Sequence, residues 1–119
     1  AFFAYGNLAN AHLAAREYAK GLEWARRATG LAPNYGEAFL WTAGLYVGLG
    51  DIDKAKSALE RARALAPDYI QHLLQSHSRI DTPDSHKPVD GGTESRRRIQ
   101  TFLRIAAGLE DPSAADAVR

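Results

Sequence analysis

Apolar residues in the first half of the chain recur at helical spacing, in four segments that short breaks separate. The pattern predicts helices over residues 2–14, 18–30, 36–48 and 52–65. No stretch of the chain favours a strand. The hydrophobic pattern therefore predicts an all-α protein.

The breaks between these segments carry residues that end one helix and start the next. Gly50 is expected to adopt the left-handed conformation that ends a helix, and Asp51 is expected to cap the following helix. Pro33 and Pro67 are expected to stop the second and fourth helices, because proline lacks the backbone N–H that a helix needs. The helix-ending residues and the apolar periodicity therefore predict the same helix boundaries.

The pattern starts again after Pro67 and then changes. Helical spacing predicts another helix reaching residue 80, with Ile70, Leu73, Leu74, His77 and Ile80 on its inner face. Residues 81–92 are polar and contain two Pro and two Gly, which predicts a flexible loop. A final helix is predicted over residues 93–109, with Thr93 as its N-cap and Gly108 as its C-cap. Residues 110–119 are predicted to fray.

Two stretches of the chain repeat each other. Residues 25–33 (Ala-Arg-Arg-Ala-Thr-Gly-Leu-Ala-Pro) return as residues 59–67 (Leu-Glu-Arg-Ala-Arg-Ala-Leu-Ala-Pro), so Pro33 and Pro67 lie 34 residues apart. This period resembles that of the tetratricopeptide repeat. The resemblance implies an α-α superhelix, a right-handed solenoid of antiparallel helix pairs. Residues 1–80 would hold two units and the first helix of a degenerate third.

The resemblance also implies a binding surface, because the first helices of such units line a concave groove that takes peptides or partner helices. The residues expected in this peptide groove are Asn7, Asn10, Leu13, Glu37, Leu40, Trp41, Gly44, Gln71, Leu74 and Gln75. Some chaperone-binding members clamp a peptide carboxylate with Lys, Arg and Asn. Asn7 and Asn10 match the asparagines of that clamp. The positions that need a base or a further Asn hold Gly6, Glu37, Trp41 and Gln75 instead, so no carboxylate clamp is expected.

Trp41 is the groove residue of greatest interest, since tryptophan is enriched at binding hot spots. Two interpretations stay open for its side chain. Trp41 contacts a partner, or the C-terminal helix folds back and packs Phe102 or Leu103 against it.

The two ends of the predicted array differ in polarity. The helix over residues 93–109 has one apolar face, so we expect it to cap the array or to act as a displaced second helix of the third unit. The first helix is apolar around much of its circumference. Upstream repeats or a second copy of the chain are expected to cover Phe2 and Phe3. A homodimer, and with it a module that dimerises a parent protein, is the alternative function.

Several segments resemble the C-terminal repeats of bacterial multidomain proteins. They are residues 21–28 (Gly-Leu-Glu-Trp-Ala-Arg-Arg-Ala), 32–35 (Ala-Pro-Asn-Tyr), 49–51 (Leu-Gly-Asp), 66–69 (Ala-Pro-Asp-Tyr) and 103–110. In those proteins the repeats follow a class III adenylate/guanylate cyclase domain or a winged-helix DNA-binding domain. The resemblance implies a non-enzymatic regulatory or docking module within a longer protein, and the absence of Met fits this expectation.

Candidate sites for other chemistry are few. His72, His77 and His86 are spaced by five and nine residues, which puts no pair squarely on one helical face, so no metal site is predicted. The run Arg96, Arg97 and Arg98 lies at the helix end that disfavours cations. It is a weak candidate for an anion or an acidic partner, with a solvated face as the alternative. No catalytic set and no cofactor are expected.

Composition narrows the partners further. The chain has no Cys, and 15 Lys and Arg against 14 Asp and Glu leave a net charge of +1. Nucleic-acid-binding domains are usually strongly basic, so a nucleic acid is not expected. No apolar run approaches a membrane span of about 18 residues. A cytoplasmic protein with a protein or peptide partner is therefore expected.

Overall fold

The computed structural model of the protein describes residues 2–75 and 90–119, apart from the side chains of residues 2, 3, 90–93, 95 and 96. Over these ranges the chain forms six α-helices, one 3₁₀ helix and no strand. The α-helices are α1 (Phe2–Ala14), α2 (Tyr18–Leu31), α3 (Gly36–Leu49), α4 (Ile52–Leu65), α5 (Pro67–Gln75) and α6 (Asp90–Ala106), and the 3₁₀ helix is Pro112–Ala117. The all-α prediction is confirmed.

The ends of the first four helices agree with the sequence prediction to within one residue, because local chemistry sets them. Gly50 has a φ of 87° and ends α3, with its N–H bonded to the Val47 carbonyl at 2.9 Å. The Asp51 carboxylate accepts a hydrogen bond from the Lys54 N–H at 3.3 Å and caps α4. Pro67 ends α4 as predicted and is also the first residue of α5, where a missing N–H costs nothing.

The four helices pack in sequence order, α1 on α2, α2 on α3 and α3 on α4. Small residues lie at the contacts between helices, and Ala9, Ala25, Ala43 and Ala55 are fully buried. Larger side chains such as Leu45 fill the remaining space. This packing is the pairing of antiparallel helices that the 34-residue period predicts.

Helix α6 begins at Asp90, three residues before the predicted start at Thr93. The predicted loop over residues 81–92 is therefore wrong for residues 90–92, while residues 81–89 lie outside the described part of the chain, as do residues 76–80 of the predicted third-unit helix. The helix ends as predicted near Gly108, which has a φ of 78°. It packs mainly on α3 and also contacts α4 and α5.

The C-terminal residues are held in place, so the prediction that residues 110–119 fray is wrong. Ala115 in the 3₁₀ helix is fully buried. The Arg119 guanidinium donates to the Gly48 carbonyl at 3.0 Å and to the Val47 carbonyl at 3.1 Å. These contacts join the tail to the end of α3, so burial and hydrogen bonding outweigh the polar composition that suggested fraying.

Candidate functional site

Helices α1, α3 and α5 carry the residues predicted for the peptide groove, and the structure divides those residues into two groups. Four of them are buried, namely Leu13, Leu40, Gly44 and Leu74. The other six are accessible, with Glu37 and Trp41 half-buried and Asn7, Asn10, Gln71 and Gln75 exposed. The accessible group is open to a partner, whereas a partner reaches the buried residues only where a cavity opens onto them.

The buried group is covered because α6 lies on the same face. The Arg98 guanidinium of α6 donates to the carbonyls of Leu13 at 3.2 Å and Ala14 at 2.7 Å, at the end of α1. On the other side, Arg104 donates to the Leu74 carbonyl at 3.1 Å, near the end of α5. The chain therefore fills part of its own predicted groove.

The C-terminal region supplies hydrogen-bond donors to the ends of all three inner helices. Arg98 serves α1, Arg104 and Gln100 serve α5, and Arg119 serves α3. The last carbonyls of a helix have no partner within the helix and carry partial negative charge, so guanidinium groups stabilise these ends. These contacts fix α6 and the tail relative to the repeats.

A cavity remains open between α6 and the three inner helices. We call it the Trp41 cavity, and its walls are Asn10, Leu13, Glu37, Leu40, Trp41, Tyr69, Leu73, Ile99, Gln100 and Leu103. Its volume is about 290 Å³, near the lower end for ligand pockets at about 300 Å³. The sequence predicted the five residues from α1 and α3 for the groove and named Leu103 of α6 as an alternative contact of Trp41. It did not predict Tyr69, Leu73, Ile99 and Gln100.

The Trp41 ring is held by its neighbours. It lies so close to Gly6 of α1 that a Cβ at position 6 would stand 2.2 Å from Trp41 Cζ3, so only glycine fits there. The ring of Tyr35 meets it edge-on, with centroids 6.2 Å apart. Leu103 lies in the same cavity wall, as one of the two interpretations of Trp41 proposed, whereas Phe102 packs against Tyr18 at 5.7 Å. Trp41 still reaches solvent.

Glu37 is the acidic residue of this wall. Its carboxylate accepts a hydrogen bond from the Tyr35 hydroxyl at 2.6 Å. The bond holds the Tyr35 proton and, together with burial and the Glu37 charge, raises the pKa of Tyr35 to about 12. Burial, and then the Glu37 charge, also raise the pKa of Tyr69. The negative charge of Glu37 therefore acts on both tyrosines.

We expect Tyr35 to ionise near pH 12. Because its pKa is raised by folding, its contribution to stability is complete below about pH 10 and is lost as the pH rises through about 12. Ultraviolet absorbance at 295 nm measures this titration. Glu37→Gln should return the Tyr35 pKa towards its ordinary value, and a titration curve that the substitution leaves unchanged would contradict the hydrogen bond.

The arginine run predicted as an anion site separates into three different environments. Arg98 is buried and bonded to α1, so it is not available to an anion, which corrects the prediction for this residue. Arg97 is exposed. The side chain of Arg96 lies outside the described part of the chain. Arg98 is buried where its guanidinium meets the carbonyls of Leu13 and Ala14 at the end of α1, a contact that sequence spacing does not reveal.

Two other expectations concern residues that are only partly described. Phe2 and Phe3 belong to α1, but their side chains lie outside the description, so self-association stays a prediction. His77 and His86 also fall outside it. Among the residues that are described, no group of His, Cys, Asp or Glu could hold a metal ion, and no helix is long and apolar enough to cross a membrane.

One signal in the sequence could have identified more of the cavity. Tyr35 and Tyr69 follow the repeated Ala-Pro-Asn and Ala-Pro-Asp segments and lie 34 residues apart, at equivalent positions of successive units. Glu37 lies near both in the folded chain. The residues of α6 gave no such signal, because α6 falls outside the repeat.

Comparison with known proteins supports the repeat interpretation. A family model described as Tetratricopeptide repeat matches residues 12–76, more than half of the chain. No curated protein and no solved structure matches, so the resemblance to cyclase-linked or winged-helix proteins stays a prediction. Tetratricopeptide repeats are generally protein–protein interaction modules, and the family is typically non-enzymatic. With its helix pairs, its 34-residue period and this match, the chain belongs to the tetratricopeptide repeat family.

Proposed function

We propose that this chain is a docking module that binds a peptide, or one end of a partner helix, in the Trp41 cavity. The partner segment comes from another protein or from another domain of a longer protein that contains this chain. The observation that carries the proposal is Trp41 itself, a half-buried tryptophan in the wall of an open, mainly apolar cavity on the inner face of the repeats. Aromatic side chains in such positions dominate binding energy at many interfaces.

The position of α6 limits how much of a partner the inner face can take. Leu74, which would line a longer groove, is buried, and Arg104 of α6 donates to its carbonyl. A full-length helix across the face would have to displace α6. The cavity of about 290 Å³ instead has room for a few side chains, which favours a short anchor segment of the partner. Helix α6 packs on the same face beside the cavity, which supports the idea that this face accepts helical segments.

Selection from a phage-displayed peptide library tests the docking site directly. We expect the wild-type chain to enrich peptides that bind it, and Trp41→Ala to weaken their binding at least tenfold. Trp24→Ala is the matched control, because Trp24 stacks on Tyr5 at 5.5 Å and does not line the cavity. Its peptide affinities should stay within about twofold of the wild type.

A second variant guards against a loss of folding in Trp41→Ala, whose ring packs on Gly6. Asn10 is exposed at the cavity wall, so Asn10→Phe should fill the opening and leave the core intact. Circular dichroism checks that each variant is folded. The proposal is abandoned if folded Asn10→Phe and Trp41→Ala both bind the selected peptides as the wild type does, or if no peptide is enriched.

A further inference from the structure

The walls of the Trp41 cavity are aromatic, and the charge in them is negative. Docking of an apolar segment would not need this negative charge. Among its ten lining residues the charged one is Glu37. Around this carboxylate stand Trp41 and Tyr69 in the cavity wall and Tyr35, which bonds to it. Aromatic faces and a carboxylate are the groups that attract a cation.

A hydrogen bond holds the Glu37 carboxylate in place without removing its negative charge. The Tyr35 hydroxyl donates to its Oε2 at 2.6 Å, and this neutral donor fixes the orientation of the carboxylate while leaving its charge in place. Among the side chains that the structure describes, no Lys, Arg or His forms an ion pair with Glu37. A cation from a partner would supply the missing charge.

Two arginines of α6, each next in sequence to a residue of the cavity wall, are bonded to other groups. Arg98 donates to the end of α1. Arg104 bonds both to the Leu74 carbonyl and to the Glu110 carboxylate. Movement of either residue towards Glu37 would break these hydrogen bonds, so neither competes readily with a partner's cation.

The rest of the cavity suits the stem of a long basic side chain. Leu40 and Leu103 are buried in its walls, and Tyr69 is 44% exposed at its edge. Lysine and arginine bury their methylene stems against apolar surface while keeping the charged head in a wetter place. An acidic side chain in the same position would face the like charge of Glu37 and the negative faces of the rings.

We propose that the Trp41 cavity selects a lysine or arginine side chain of the partner polypeptide, flanked by apolar residues, with its cationic head between Glu37 and the rings of Trp41 and Tyr69. The proposal rests on the docking function and names its ligand chemistry. It is the opposite of a carboxylate clamp, since the charged group supplied by the repeats is acidic. The pocket therefore distinguishes partners by the sign of one charge.

A charge-swap selection tests this preference. Three forms of the full chain, namely the wild type, Glu37→Gln and Glu37→Lys, are used separately to select from the same phage-displayed library. We expect the wild type to enrich Lys or Arg at one fixed position of its peptides. Glu37→Gln should lose that enrichment, and Glu37→Lys should enrich Asp or Glu there. Glu60→Gln, an exposed carboxylate on α4, is the matched control and should select as the wild type does.

The selected peptides allow a quantitative second measurement. Replacing the enriched basic residue by norleucine, which keeps the stem and removes the charge, should weaken binding to the wild type about tenfold or more. It should change binding to Glu37→Gln by less than about threefold. Parallel peptides with Lys and with Arg at that position show which cation the cavity prefers.

The outcomes separate this inference from the docking function on which it rests. If all three forms enrich the same apolar peptides, and these depend on Trp41, docking stands and the cation preference is overturned. An equal affinity of the wild type for the lysine and norleucine peptides overturns it as well. If no form enriches any peptide, both proposals fail.

Discussion

Replacing Phe102 by alanine should lower the free energy of unfolding by about 3–5 kcal/mol, the usual cost of removing a buried phenylalanine ring. Phe102 is fully buried in α6, and its ring meets Tyr18 edge-on at 5.7 Å. Alanine would leave a cavity at the contact between α6 and the repeats. Since small domains have a total stability of only about 5–15 kcal/mol, the loss would be a large share of it.

Urea denaturation followed by circular dichroism measures this change. Leu109→Ala is the control, because Leu109 is 53% exposed just beyond α6 and should change the stability by less than about 0.5 kcal/mol. Hydrogen exchange should also speed up in α6 more than in α3. A loss below about 1 kcal/mol for Phe102→Ala would contradict the burial of this ring between α6 and the repeats.

Replacing Arg98 by alanine should cost about 2–3 kcal/mol, because it leaves carbonyls at the end of α1 without their charged partner. Arg98 is buried, and its guanidinium donates to the carbonyls of Leu13 and Ala14. The loss combines two hydrogen bonds with the favourable position of a cation at a helix C-terminus. Both hydrogen bonds come from Nη2 of Arg98. Arg98→Lys should recover only part of the loss, since an ammonium group is more strongly hydrated than a guanidinium group and costs more to bury.

Arg97→Ala is the matched control in the same helix. Arg97 is exposed, so its replacement should change the free energy of unfolding by no more than about 1 kcal/mol. Thermal and urea unfolding of the three variants give the comparison. If Arg97→Ala and Arg98→Ala destabilise the chain equally, the contact between Arg98 and α1 contributes nothing beyond a surface charge.

Phe102→Ala and Arg98→Ala both weaken the packing of α6 on the repeats, and they are therefore expected to affect peptide binding as well. Ile99, Gln100 and Leu103 of α6 form one wall of the Trp41 cavity. A variant with a loosened α6 therefore changes the shape of the site as well as the stability. Peptide binding should be compared with the wild type only under conditions in which α6 stays docked.

The sequence located the repeats well because the signals are local. Gly50, Asp51 and Pro67 act on backbone groups within four residues of themselves, and the structure places each at the helix end that was expected. Likewise, the periodicity of small and large residues identified which faces of α1 to α4 pack together. Neighbouring units carry similar residues at equivalent positions, so the helices predicted in one unit support those predicted in the next.

The sequence predicted the part of the Trp41 cavity that α1 and α3 form, and little of the part that α5 and α6 form. Glu37 and Trp41 were expected in the groove because their positions in the unit define its inner face. Tyr69 was missed although it repeats Tyr35 at a distance of 34 residues. The α6 residues of the cavity could not be found in this way, because α6 follows the last recognisable unit and has no earlier copy for comparison.

By itself, then, the sequence determined an all-α chain of paired helices, the ends of the first four helices and the inner face of each unit. Only the tertiary structure decided that α6 lies on that inner face, that Arg98 caps α1 and that Arg119 holds the end of α3. Arg98 reaches a carbonyl 85 residues away in the chain. Helix caps and periodicity depend on residues that are close together in the sequence. Contacts between residues far apart in the sequence depend on which backbone polar groups still lack a hydrogen bond after the helices have packed.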